Sequence, residues 1–360
     1  MRAMTHKLDA VEGLTFATKD FALEKGGTLP LCEVAYETHG KLNAAGDNAI
    51  LVVHGYTSSG HVAGVHAEGK EARGVAPGTA GWWDALIGPG KAVDTDKFFV
   101  VGVNALGSCH GSTGPASLDP RTGKPYGPTF PEVTIRDIVR SQKLLLDSLG
   151  VKHLVAVCGP SMGGFQSFQW GVSYPDFMHG VVATVTAPKM RAGTIDAAEQ
   201  LRQRLASHPN WNNGWYYENG GIASILADIR HETLVGYGQR EILAATIPDP
   251  AKREEAIRAN AREWAKTYDG HSMVVLRRAI GTFDITADYA KLKAKVLYVI
   301  APNDTLFPAK MGVSYAKEMR EAGVDLTYVE LVTDKGHMAS HADALQWAPA
   351  LAAFIERLGK

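Results

Sequence analysis

One stretch limits what this chain can fold into. Leu154-Val155-Ala156-Val157-Cys158 is an apolar, β-prone run that stops at Gly159-Pro160-Ser161-Met162-Gly163-Gly164, after which Phe165-Gln166-Ser167-Phe168-Gln169-Trp170 reads as helix. The order is strand, sharp turn, serine, helix. Gly-x-Ser-x-Gly at such a junction suits a nucleophile elbow, because the strained serine backbone tolerates only small neighbours and Gly159 and Gly163 let strand and helix pack closely. Ser161 then stands with its hydroxyl exposed above a sheet. The same letters could spell a glycine-softened loop, but the strand before them and the helix after them favour the elbow.

Composition bounds the rest. With 360 residues, 45% hydrophobic and 21% charged, the chain reads as a soluble protein with one large α/β core plus an insertion. No membrane span is visible in the sequence. A formal net charge of -1 offers no basic field for nucleic acid or acidic lipid, so small molecules are the expected partners. Cys32, Cys109 and Cys158 are an odd number without metal-type spacing, which argues for a reducing compartment and against a disulfide framework or a zinc site. Met1 to Asp9 contains no apolar signal core, so a cytoplasmic location is expected.

Short β-prone runs from Leu31 to Thr38 and from Ala49 to His54 read as early strands. In an α/β-hydrolase fold, a mostly parallel central sheet with helices on both faces, the turn after the second of these supplies half of an oxyanion hole. That turn is His54-Gly55-Tyr56-Thr57-Ser58-Ser59-Gly60-His61. The backbone N–H of Tyr56 is assigned to the hole, with the N–H of Met162 as its partner. Phe98 to Asn104 is a further buried strand. A Gly- and Pro-rich loop from Leu106 to Pro128 follows; its His110 is read as loop packing or rim. Thr134 to Leu149 is an amphipathic helix ended by Gly150, and Gly180 to Thr186 is one more strand.

Alternation of strand and helix then breaks off. Residues 189–288 are expected to form a helical cap inserted into a core made of residues 1–188 and 289–360, with Leu201, Leu205, Ile257, Ala261, Trp264 and Tyr268 at helical spacings. Its aromatic turn, Pro209 to Tyr217, suits either the cap's own core or a pocket wall. The alternation returns at Lys295 to Ala301, a strand ending near Asp304, and at Leu326 to Val332, followed by Gly336-His337-Met338. Ser161, Asp304 and His337 occur in the order nucleophile, acid, base that this fold uses. Asp284 and Asp334 are weaker rivals for the acid. His341 is expected to face the start of the last helix, in which Leu345, Ala348, Leu351 and Ile355 are expected to pack inward.

Gly81-Trp82-Trp83-Asp84, Gly88-Pro89-Gly90-Lys91, Asn104-Ala105-Leu106-Gly107-Ser108, Gly111-Ser112-Thr113-Gly114-Pro115, Gly123-Lys124-Pro125-Tyr126-Gly127, Thr134-Ile135-Arg136-Asp137 and Ser161-Met162-Gly163-Gly164 together resemble the homoserine O-acetyltransferase family. The resemblance implies a helical cap on an α/β-hydrolase core, a Ser161/Asp304/His337 triad, an acyl-enzyme and a homodimer through the cap. It implies no bound cofactor, with acetyl-CoA as the acyl-donor substrate if the transferase activity is kept. Two departures concern the acceptor. The family follows its catalytic histidine with aspartate, where this chain has Met338, and of the family's cap arginine only Arg230 is a candidate. The expected activity is therefore hydrolysis of a small ester or thioester, with O-acetyl transfer to homoserine, serine or another alcohol as the alternative.

Overall fold

The computed structural model describes residues 8, 10–190 and 196–358. The N-terminal stretch read for an export signal lies outside them apart from Leu8, as do 191–195 of the expected cap. Eight strands form one sheet: β1 (Leu14–Ala22), β2 (Thr28–His39), β3 (Ala49–Val53), β4 (Phe99–Val103), β5 (Leu154–Pro160), β6 (Met178–Thr184), β7 (Lys295–Ile300) and β8 (Leu326–Glu330). Their spatial order is β1-β2-β4-β3-β5-β6-β7-β8. β2 runs antiparallel to β1 and to β4, and every pair from β4 to β8 is parallel. The long β1 was not anticipated: its residues are mostly half-buried or exposed, so it lacks the apolar run that betrays a central strand.

Successive side chains of a strand point to opposite faces, and here both faces are covered. Leu51, Val53, Val101, Val103 and Val157 face α1 (Ile135–Ser148) and α2 (Met162–Ser173), whose Ile138, Val139, Phe165 and Phe168 complete that core. Ile50, Val52, Val100 and Cys158 face Trp83, Leu86 and α10 (Ala344–Leu358) on the other side. Thr134 starts α1 with a reciprocal cap in which its hydroxyl accepts the Asp137 N–H and the Asp137 carboxylate accepts the Thr134 N–H. Among the described residues no helix is long and apolar enough to cross a membrane.

Between β6 and β7 the chain forms α3 (Asp196–Ala206), α4 (Ala223–Gly236), α5 (Gln239–Ala244), α6 (Pro250–Ala265) and α7 (Gly270–Gly281). They enclose a small core of their own, with Leu205, Trp211, Tyr216, Leu226, Ile229, Tyr268 and Met273 buried together. The aromatic turn resolves accordingly. Trp211 and Tyr216 pack in this core, Trp215 is partly exposed, and none of the three lines the space above Ser161. α7 bridges the two bodies, since its Val275, Leu276, Ala279 and Ile280 pack against the sheet's own core.

The last helix corrects one expectation. Leu345 does not pack inward; it is 74% exposed. Beyond α8 (Ala309–Glu321) and β8, the chain first makes a separate short helix, α9 (Ala339–Ala342), and α10 restarts at Ala344 with a buried stripe of Ala344, Trp347, Leu351, Phe354, Ile355 and Leu358. Leu345 sits one residue, about 100° of helix, away from that stripe. Truncating Leu351 to Ala is expected to lower unfolding free energy by about 2–5 kcal/mol, and Leu345→Ala to leave it within about 0.5 kcal/mol. Urea melts of the two variants measure this.

Candidate active site

The elbow is built by close approach. A Cβ at Gly159 would meet the Gly163 carbonyl carbon at 2.6 Å, and one at Gly163 would meet the Val53 carbonyl oxygen at 2.3 Å. Only glycine lets β3, β5 and α2 come this near. The turn between them holds Ser161 at φ 55° and ψ -120°, a conformation that costs a non-glycine residue on the order of 1–3 kcal/mol. Hydrogen bonds hold it there. The Ser161 N–H donates to the Thr184 carbonyl at 2.9 Å, the Thr186 hydroxyl donates to the Ser161 carbonyl at 2.7 Å, and the buried Tyr298 hydroxyl donates to the Thr186 carbonyl at 2.7 Å. Thr186 and Tyr298 were missed in the sequence because their role depends on β6 and β7 lying side by side.

Three elements from distant parts of the chain converge on the serine. His337 Nε2 lies 3.0 Å from Ser161 Oγ, and His337 Nδ1 lies 2.8 Å from Asp304 Oδ2. Asp304 is 1% exposed, and its other oxygen accepts the Leu306 and Phe307 N–H groups at 2.8 and 3.3 Å. An ionised acid so fixed holds the imidazole with its proton on Nδ1 and its lone pair toward the serine. The rivals stand aside: Asp334 pairs with Lys335 at the surface, and Asp284 accepts the Thr286 N–H. His110 is buried, edge-on to the Tyr268 ring at 5.4 Å, and takes no part in this relay.

A cavity of about 210 Å³ opens over Ser161. Gly55, Tyr56, Thr57 and Ser58 line it from the turn after β3, with Trp82 beside them; Arg230 and Tyr237 come from the cap, and His337, Met338, Ser340 and His341 from the last loop. His341 therefore corrects the second expectation. α9 is a single turn whose Ala339 packs in the core while its Ser340 and His341, with Met338 just before it, line the cleft. The N–H groups of Tyr56 and Met162 donate to no acceptor among the described residues, leaving both available to a substrate oxygen. Tyr56 is pinned by its hydroxyl, which donates to the Met273 carbonyl at 2.7 Å, and by its carbonyl, which accepts the Tyr268 hydroxyl at 2.9 Å.

Charge in the cavity is one-sided. Among the described residues Arg230 is its only lysine or arginine, and no aspartate or glutamate lines it. The guanidinium donates to the Thr57 hydroxyl at 2.8 Å and lies 5.0 Å over the Trp264 ring, and its buried Nε has no partner among the described residues. The nearby Glu232 pairs instead with Arg204 at 2.6 Å.

A profile of the alpha/beta hydrolase fold matches residues 48–344. The homoserine O-acetyltransferase of Solidesulfovibrio magneticus is 36% identical, over 95% of this chain and 90% of that one. This chain belongs to the homoserine O-acetyltransferase family of α/β-hydrolases. Solved members of the fold superpose closely. Esterase E22 does so with a TM-score of 0.86 and 31% identity, over 96% of this chain and 100% of that one. A homoserine O-acetyltransferase from Bacillus anthracis gives 0.85 and 26%, over 97% and 98%. The α/β-hydrolase fold thus carries both an esterase and a transferase on closely similar backbones, and this chain is an acyl-transfer enzyme. Gly163→Ala drives a methyl group into the Val53 carbonyl and is expected to cost about 1–3 kcal/mol of stability, together with most esterase activity. Thermal melts and ester turnover on the same sample measure both.

Proposed function

We propose that this protein hydrolyses a small carboxylic ester or thioester through an acyl-Ser161 intermediate. His337 takes the serine proton as Oγ attacks the carbonyl carbon, Asp304 holds the imidazole, and the Tyr56 and Met162 N–H groups receive the oxyanion. The tetrahedral intermediate collapses as His337 returns the proton to the leaving alcohol or thiol. Water then attacks the acyl-serine, again through His337, and the carboxylic acid leaves.

The observation that carries water over an amino-alcohol is the composition of the cavity wall. Homoserine brings an ammonium group, and burying that charge without a partner costs several kcal/mol. Met338 follows His337, and among the described residues no carboxylate lines the cavity. One observation favours the second reading, acetyl-CoA-dependent O-acetylation of homoserine, serine or another alcohol. Among the described residues the Arg230 guanidinium has no carboxylate partner, and it suits the carboxylate of such an acceptor. On either reading the partners are small molecules. A cytoplasmic location, supported by three cysteines that form no disulfide, and a homodimer through the cap belong to the same proposal.

Purified protein mixed with p-nitrophenyl acetate or acetyl-CoA, each with and without homoserine, tests this when Ser161 is followed by mass spectrometry. Ester turnover with an acetyl group on Ser161, unchanged by homoserine, is expected; Ser161→Ala loses the adduct and Asp304→Asn loses about 10⁴-fold in kcat. Discharge of acetyl-Ser161 by homoserine alone would replace hydrolysis with transfer. Met338→Asp supplies the missing carboxylate and is expected to let homoserine compete with water.

A further inference from the structure

A second group of titratable side chains lies beneath the turn that carries Tyr56. Glu37 of β2 is 1% exposed, and His39, His61 and His66 around it are 5%, 3% and 6% exposed. Glu37 Oε1 accepts the Val62 and Ala63 N–H groups at 2.7 and 3.3 Å and lies 3.1 Å from His39 Nε2. Its Oε2 lies 2.8 Å from His61 Nδ1 and 3.1 Å from His66 Nε2.

The ring of His61 has acceptors on both sides. Nδ1 faces the Glu37 carboxylate, and Nε2 faces the Thr79 carbonyl at 2.9 Å. A carbonyl cannot donate and neither can an ionised carboxylate, so both nitrogens must carry hydrogen. His61 is then an imidazolium. His54, at the other end of the same turn, makes the opposite case. Its Nδ1 faces the Gly55 carbonyl at 2.7 Å while its Nε2 accepts the Ala105 N–H at 2.9 Å, which fixes a neutral ring, and burial pushes its pKa down to about 4.

The two histidines clamp the turn between them. Trp82, whose indole N–H donates to the Ser59 carbonyl at 2.9 Å, and Thr57, which holds Arg230, both depend on its course. Resting on the acyl-Ser161 reading, we infer that Glu37 and His61 are positioning residues for the oxyanion turn, holding it through a buried imidazolium–carboxylate pair that must stay protonated for the Tyr56 N–H to keep its place. The pair carries its own pH window. Burial works against the imidazolium, but the hydrogen bond and charge of Glu37, the Thr79 carbonyl and Asp84 prevail and raise the His61 pKa. Burial likewise favours a neutral Glu37, yet the hydrogen bonds of His39 and His61 and the adjacent His66 imidazole hold its pKa well below the usual range. A raised histidine contributes fully below its unfolded pKa and loses its contribution as pH rises through the folded value. The groups facing the pair are His39 on β2, His66 on the same loop, and Asp84, itself paired with Lys91 at 3.4 Å.

A metal clasp would place the same donors differently. Two imidazoles on one tetrahedral ion, with bonds of about 2.0–2.1 Å, keep their centroids roughly 5 Å apart. The His61 and His66 rings instead stack at 4.0 Å and 29°.

The test is kcat and KM for p-nitrophenyl acetate from about pH 6 to about pH 10, with circular dichroism at each pH and acetyl-Ser161 followed by mass spectrometry. In the unaltered protein kcat is expected to fall roughly tenfold or more on the alkaline side, less than the about hundred- to thousandfold that outright loss of an oxyanion donor costs. KM and the dichroism spectrum stay level. Glu37→Gln keeps an oxygen for Val62 and Ala63 and offers an amide N–H to a neutral His61. His61→Asn keeps a donor at the Nδ1 position without a titrating proton. In each, the alkaline fall is expected to vanish from the profile normalised to its own maximum. An alkaline fall that survives in either folded variant, that is absent from the unaltered protein while acetyl-Ser161 forms, or that coincides with loss of the dichroism signal overturns the inference. So does one equivalent of divalent metal retained after dialysis. Absence of acetyl-Ser161 at every pH is a separate outcome, which removes the acyl-serine reading on which the inference rests and overturns it with that reading.

Discussion

The molecule depends on a contact that leaves no room for a side chain. Gly163 sits against the carbonyl of Val53 and Gly159 against the backbone of Gly163, so three backbone segments meet without a single Cβ between them. That meeting forces the turn, and the turn forces Ser161 into positive φ. Strain here does useful geometry: it lifts the hydroxyl clear of the sheet and leaves the first amide of α2 unpaired beside it. The strain persists because the Thr184, Thr186 and Tyr298 hydrogen bonds over-determine the turn.

Around this contact the protein sorts its histidines by what each ring nitrogen faces. His337 has an acid on one side and a hydroxyl on the other, which suits a ring that exchanges protons with substrate. His54 has one donor and one acceptor and is fixed as neutral. His61 has two acceptors and is fixed as charged. Three copies of one side chain thus take three electrostatic roles within one neighbourhood, and the neighbouring carbonyls and amides decide which is which.

Legibility in the sequence followed the range of the interactions. The elbow is local, so its glycines and its serine could be read directly. Asp304 could be read because it follows a strand with an apolar run, and His337 because it follows the next β-prone stretch, each at a place the fold reserves. Glu37 could not, although it is as buried as Asp304, because its meaning comes from β2 lying antiparallel beside β4 and under a loop that folds back over it. Leu345 and His341 were misjudged for a related reason. A periodic pattern says which residues share a helix face but not where one helix stops and the next restarts, and the break at Asp343 between α9 and α10 moves both.

The insertion leaves and rejoins the sheet at neighbouring strands. Val185 donates to the Val299 carbonyl, and just beyond, Met190 donates to Phe283 and Ile285 to Pro188, so the two legs of the cap are stitched together at its neck. A loop whose ends are already closed costs little more when it lengthens or changes. Arg230 and Tyr237 of the cavity wall come from beyond that neck, whereas Ser161, Asp304 and His337 lie outside it. Substitutions beyond the neck can therefore reshape part of the cavity wall while Ser161, Asp304 and His337 keep their places, so the part of the chain that shapes entry and the part that breaks the bond are separable in sequence.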